Sequence, residues 1–243
     1  MKQGNGWALI LGVCLIIAAG IAGSAYKYKY KAQNTITVTG LGEKEFVSDL
    51  IVWRGWIVEQ SDNVISGYAK LEENRKKVEN YIKSNGITDS CIVFMFVNVN
   101  QITEPIYSNG QYVGSRKTGY ELRQQFKVES TNVSAVEEIS RQISSLIAQG
   151  VQLESWEPEY YYTKLSDLKL ELIENATADA RSRAEKIADQ ADASITGLKS
   201  GRMGVIQILG ANSNEAQSAG GAYNTASKNK KASITMRLEY NVK

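Results

Sequence analysis

Ser233-Ile234-Thr235-Met236-Arg237-Leu238-Glu239-Tyr240-Asn241-Val242 alternates polar and apolar side chains without a break. Successive side chains of a strand point to opposite faces, so this stretch specifies a half-buried strand with one wet face. Such a strand needs neighbours and a cover. The cover lies upstream: Leu165, Leu168, Leu172, Ala176, Ala180, Ala184, Ile187 and Ala191 recur at spacings of three or four, the stripe of one long helix over Leu165–Ala193. Its second half is alanine-rich and can pack very close to a sheet or to another helix. After Gly197 a strand region runs to about Leu209. Gly210–Lys231 is rich in Gly, Ser, Asn and Ala, has no period, and reads as a flexible loop.

Further upstream, Val151–Tyr162 reads as one strand. Ser134 followed by Glu137 makes a capping box, opening a helix whose buried stripe is Val136, Ile139, Ile143, Leu146 and Ile147 and which Gly150 ends. Cys91–Val99 and Gly119–Ser130 read as strands. Asn109-Gly110, set between Tyr107 and Tyr112, joins them as one long hairpin with an exposed tip near Ser108–Lys117, because both turn residues tolerate positive φ. Asn63–Ser84 reads as a helix burying Tyr68, Leu71, Val78, Tyr81 and Ile82, with Gly86 as its cap. Thr35–Gln60 reads as two strands, with Gly40-Leu41-Gly42 turning the chain. The expected order is ββαββαβαββ: an α+β fold with a largely antiparallel sheet and helices on one face.

The chain divides into residues 1–31 and a body, residues 32–243. Trp7–Ala25 (WALILGVCLIIAAGIAGSA) carries no charge. Nineteen residues at about 1.5 Å rise span roughly 28 Å, near the thickness of a bilayer core. Tyr26-Lys27-Tyr28-Lys29-Tyr30-Lys31 follows, and alternating rings and ammonium groups suit the headgroup zone. A retained anchor is the first reading. A signal peptide cleaved after Ala25, behind the small residues Gly23 and Ser24, is the second. A lipoprotein signal fits poorly, since Cys14 lies mid-segment. The lysines after the segment outnumber the one before it, which by the positive-inside rule favours a cytoplasmic body.

Composition excludes more than it assigns. The chain has 243 residues, 28 basic and 26 acidic, a net charge of +2. Taking away Lys2, Lys27, Lys29 and Lys31 leaves 24 basic against 26 acidic groups, so the body carries −2 and offers no concentrated positive face to nucleic acid. There is no histidine, which removes Ser-His-Asp, Cys-His and His-ligated metal chemistry. Cys14 and Cys91 are the only cysteines, and with Cys14 in the apolar segment no disulfide forms within the body. Cys91 is a conceivable redox thiol, but its apolar neighbours favour a buried strand cysteine. Glu157 with Glu159, or Asp167 with Glu171, are conceivable carboxylate pairs, but solvated faces explain them as well. Gly40–Gly42 and Gly201–Gly204 lack the lysine and serine of a phosphate loop and read as turns. Trp53, Trp56, Trp156 and Tyr160–Tyr162 read mainly as core, and whichever of them is exposed is the best candidate for subunit contacts. No catalytic, cofactor-binding or metal-ligating residue is assigned, and no cofactor is expected.

Four of these stretches together resemble the SIMPL-domain family, which includes periplasmic immunogenic and oxidative-stress-defence proteins. They are the opening ITVTGLGEKEFVSDLIVW from Ile36; the hairpin with Pro105-Ile106-Tyr107, Asn109-Gly110 and Gly119-Tyr120; the alanine-rich helix Ala176–Ala188; and the closing strand. The resemblance covers about Thr35–Lys243. The family has no established catalytic residues. The resemblance implies an exported, non-enzymatic α+β domain that forms homo-oligomers with channel-like members and has a loose link to envelope stress. It places the body in the periplasm, tethered to the inner membrane, against the local lysine count, or soluble there after cleavage near Ala25. The partners it implies are the membrane and a second copy or another protein; a small-ligand or peptide module and a Cys91-dependent stress protein are the alternatives. The chain departs from the family after Glu43, where the usual prolines are absent and Asp49 is the only aspartate, and in the run Tyr160-Tyr161-Tyr162.

Overall fold

The first described residues form a helix, α1 (Asn5–Lys31), after which strands and helices alternate. The structure is a computed structural model that describes residues 5–31 and 34–243. In order follow β1 (Thr35–Val47), β2 (Leu50–Ser61), α2 (Val64–Ser84), β3 (Ile92–Ser108), β4 (Gln111–Ser130), α3 (Val133–Gln142), β5 (Gln152–Ser155), β6 (Glu159–Tyr161) and α4 (Leu165–Gln190). The chain ends with β7 (Ile195–Met203), β8 (Gln207–Gly210), β9 (Ala222–Tyr223) and β10 (Asn229–Val242). Short 3-10 turns cover Asp89–Cys91 and Ile143–Gln149.

The α+β class holds, but the element order differs from the sequence expectation. Val151–Tyr162 is two short strands parted at Trp156–Pro158, since proline cannot donate to a ladder. The region after α4 carries four strands rather than two, and Ala222–Tyr223 lies inside the stretch read as loop. The strands form two five-stranded sheets, not one.

Two compact units divide the chain: Met1–Lys44 with Leu168–Gln207 and Ser233–Lys243, and Glu45–Asp167 with Ile208–Ala232. In the first, β1 and β7 flank β10, with β7 antiparallel to it from Met236↔Met203 to Val242↔Ile195. The inward residues Val38, Leu238 and Tyr240 pack on Ala180 and Ala184 of α4. Gly40 and Gly42 are not a turn; β1 runs straight through them. A Cβ on Gly40 would lie 2.1 Å from the Ala176 carbonyl oxygen, and one on Gly42 2.2 Å from that of Leu172. Glycine on the strand and alanine on the helix thus let two backbones nearly touch. The buried row of α4 is Leu168, Leu172, Ala176, Ala180, Ala184 and Ala188. Ile187, expected inside, is 49% exposed, because an unbroken step of four carries the row to Ala188.

In the second unit β4 lies between β3 and β2, and β2 pairs with β5 and β6 at its other edge. Ile51, Trp53 and Ile57 of β2 and Leu122, Phe126 and Val128 of β4 meet Leu71, Val78 and Ile82 of α2 and Val136 and Ile139 of α3. Trp53 and Phe126 meet edge-on at 5.1 Å. Each such burial is worth about 1.5–3 kcal/mol. Asn63 caps α2 by accepting from the Ile65 N–H at 2.7 Å. The cap of α3 is Asn132, not Ser134; its side chain accepts from Ala135 N–H, and Glu137 is engaged elsewhere.

Candidate functional site

The feature of the second unit that sequence and geometry both single out is the β3–β4 hairpin. Asn109 and Gly110 have φ of 50° and 77°, which is the two-residue turn whose twist matches the strands it joins. Pairing runs from Ser108↔Gln111 down to Ile92↔Val128. Near the base, Met95 and Phe96 together oppose Gln125, between the pairs Phe94↔Phe126 and Val97↔Gln124. The buried Gln124 amide donates to the Met95 carbonyl at 2.8 Å and secures this bulge. Phe94 and Val97 pack against the core, while Phe96 is left 77% exposed.

β3 has β4 on one side and no strand on the other among the described residues. Ile92–Thr103 contains no charged residue. Edge strands in soluble proteins are usually blunted by charge, and this one is not over that length. The third strand, β2, stops pairing at Ser61↔Tyr120. Beyond it the hairpin continues as a two-stranded ribbon, Ile102–Ser108 against Gln111–Gly119, roughly 24 Å long at about 3.4 Å per residue. Ile106, Tyr107, Tyr112 and Val113 are exposed on it, with the two tyrosine rings edge-on at 6.1 Å.

The candidate chemical residues scatter. Cys91 is half-buried beside the core, with the Thr88 hydroxyl 3.2 Å from its sulfur and, among the described residues, no basic group bonded to it. Glu157 is exposed, whereas Glu159 receives the Arg54 guanidinium at 2.5 Å and the Tyr161 hydroxyl at 2.9 Å. The Arg54 hydrogen bond holds the Glu159 carboxyl below its ordinary range. Asp167 is exposed, and Glu171, a turn further along α4, pairs with Lys44. Among the described residues no group of three or more Cys, Asp or Glu could hold a metal ion.

The aromatic residues divide. Trp53 is fully buried and its indole N–H donates to Ser155 at 3.0 Å. Trp56 is half-buried under the Arg123 guanidinium at 5.3 Å, and Trp156 is 53% exposed. The tyrosine run is a clamp. Tyr160 donates its hydroxyl to Glu137 at 2.8 Å and its N–H to the Thr225 carbonyl at 2.7 Å. Lys228 donates to the other Glu137 oxygen at 2.7 Å. Burial and then the Glu137 bond push the Tyr160 hydroxyl up to about 12. Burial alone would raise Glu137, but the bonds from Lys228 and Tyr160 outweigh it and lower its carboxyl. Tyr161 and Tyr162 meet Tyr223, and Tyr162 packs on Phe46 at 4.6 Å.

Sequence reading missed Lys230, which is fully buried. Its ammonium donates to the carbonyls of Asn224 and Ser227 at 2.5 and 2.6 Å, tying the preceding loop into a knot. Burial draws its pKa down to about 8. The signal was available: the alternation of β10 extends backward from Ile234 through Ala232 to Lys230.

No curated protein matches the chain. Among solved structures, an inferred aminohydrolase from methicillin-resistant Staphylococcus aureus is similar at 10% identity over 59% of this chain and 39% of that one, with a TM-score of 0.22. The chain spans about two fifths of that protein's length (39%), and a likeness so slight carries no argument. The family comparison covers nearly the whole body. The family described as SIMPL, protein of unknown function (DUF541), matches residues 36–241, from the start of β1 to the end of β10, and the chain therefore belongs to the SIMPL family.

Proposed function

We propose that the chain is a membrane-anchored protein of the cell envelope that performs no catalysis and acts as a homo-oligomeric structural or interaction protein. The β3–β4 hairpin carries this reading. A two-stranded ribbon alone is marginally stable in water, so its outer part gains by docking. The uncharged edge of β3 offers unpaired N–H and C=O groups to another strand. A second copy is the natural partner, because antiparallel self-pairing about a two-fold axis brings no like charges together along Ile92–Thr103. The setting in the envelope rests on α1, where Ile10–Tyr28 is long and apolar enough to cross a membrane and is not buried. The periplasmic side and the link to stress defence rest on the family resemblance.

Light scattering on the full chain in neutral detergent tests the assembly. A multiple of the monomer mass is expected, and Phe96→Lys, at an exposed position, should shift it toward monomer. A wild-type chain that stays monomeric at high concentration sinks the reading. A peptide-binding module is the second reading, since the same edge accepts an extended peptide. A monomer whose melting temperature rises with added β-forming peptide would favour it.

A further inference from the structure

The wet face of the sheet in the first unit carries an arrangement that the hairpin does not use. Arg237 of β10 stands directly opposite Arg202 of β7. Directly opposed side chains on one face sit about 4.5–5.5 Å apart at Cβ, and like charges there repel. Neither guanidinium has a salt bridge or side-chain hydrogen bond among the described residues. The next row does have its charge matched: Glu239 accepts from Lys199 and Ser200, each at 3.0 Å, and from Thr35. Lys199, Arg202 and Arg237 against Glu239 make three positive charges and one negative, a local net of +2. The two arginines line a cleft of about 310 Å³ with Thr37, Ser200 and Glu239.

We propose that this cleft binds a phosphate-type oxyanion, with Arg202 and Arg237 as its two ligating forks. Guanidinium forks match the tetrahedral oxygens of phosphate and bind them bidentately. An anion between the forks turns their mutual repulsion into two attractive contacts, and Thr37 lines the same cleft, while the Ser200 hydroxyl is already given to Glu239. The oxyanion has two sources, free phosphate esters and the headgroups of anionic lipid. Lipid is within chain reach: four residue steps separate Lys31, the end of α1, from Thr35 at the start of β1, at most roughly 14 Å. The lipid source alone rests on the anchoring reading.

Full-length chain in neutral maltoside micelles, titrated with inorganic phosphate against sodium chloride of equal ionic strength, tests the site. Phosphate should raise the melting temperature by several degrees more than chloride does. Arg202→Gln with Arg237→Gln should weaken the apparent phosphate affinity at least tenfold. Each single variant should weaken it in part, and Arg116→Gln, on the hairpin, should leave it intact. Nanodiscs then separate the sources. If headgroups fill the cleft, phosphatidylglycerol discs raise the wild-type melting temperature over phosphatidylcholine discs, added phosphate adds nothing, and the double variant does not respond. If a soluble ester is the ligand, the two disc types melt alike and phosphate still acts. A response to neither phosphate nor anionic discs, or a double variant responding as the wild type does, overturns the proposal. A phosphate response from a chain that fails to enter discs overturns the anchor and leaves the site standing.

Discussion

Gly40 shows how much one missing methyl decides. Read along the chain, Gly40-Leu41-Gly42 signals a turn; in three dimensions both glycines face α4, where any Cβ would enter the helix backbone. Gly40→Ala should therefore cost about 3 kcal/mol, the upper part of the range for overpacking. Gly197→Ala, where nothing lies within 4 Å, should stay within about 0.5 kcal/mol of wild type. Urea midpoints of the two variants decide, and equal midpoints would refute the contact. Glu137 is the second decisive residue. Its carboxyl is lowered in the fold, so the unfolded chain binds the proton more tightly and stability is lost as pH falls from about 4.5 through the folded value. Tyr160 is an acid raised to about 12, so its contribution is full below pH 10 and fades as pH rises toward 12. Glu137→Gln should cost about 1.5–3 kcal/mol at pH 7 and flatten the acid limb of stability against pH. An unchanged acid limb would show that the clamp is idle.

At the scale of elements, the helices tell most about the limits of local signals. Ser134 and Glu137 have the spacing of a capping box, yet Asn132 does the capping, because α3 starts at Val133 and Glu137 is drawn to Tyr160 and Lys228. Asn132→Ala should destabilise by about 1 kcal/mol, roughly 2–4 °C in a chain of this size. Ser134→Ala should move the melting temperature by less than a degree or so. The reverse order of effects would restore the capping box. The hairpin is the opposite case, since Asn109-Gly110 sets the turn and the starting pair Ser108↔Gln111, although the pairing shifts register at three points further down. The bulge at Met95–Phe96 was invisible in the sequence, where CIVFMFVNV reads as an unbroken strand; the buried Gln124 that stabilises it lies on another strand.

For the whole molecule, the family resemblance and the lysines that flank α1 favour opposite placements of the body. Fusing alkaline phosphatase after Lys243 should give an active enzyme, since the fusion folds only outside the cytoplasm. An inactive fusion beside an active cytoplasmic reporter would put the body inside, as the lysines after α1 suggest. The apolar N-terminal helix, the Asn-Gly hairpin and the alternation of β10 were legible in the chain because each is a pattern among residues close in sequence, and the family was legible as a resemblance carried by the order of four such stretches. The division of the strands into two sheets, the seating of Gly40 on α4, the open edge of β3 and the opposition of Arg202 and Arg237 were not. Each depends on which distant segments pair and in which register, and that choice is settled by the joint burial of side chains that no local window contains.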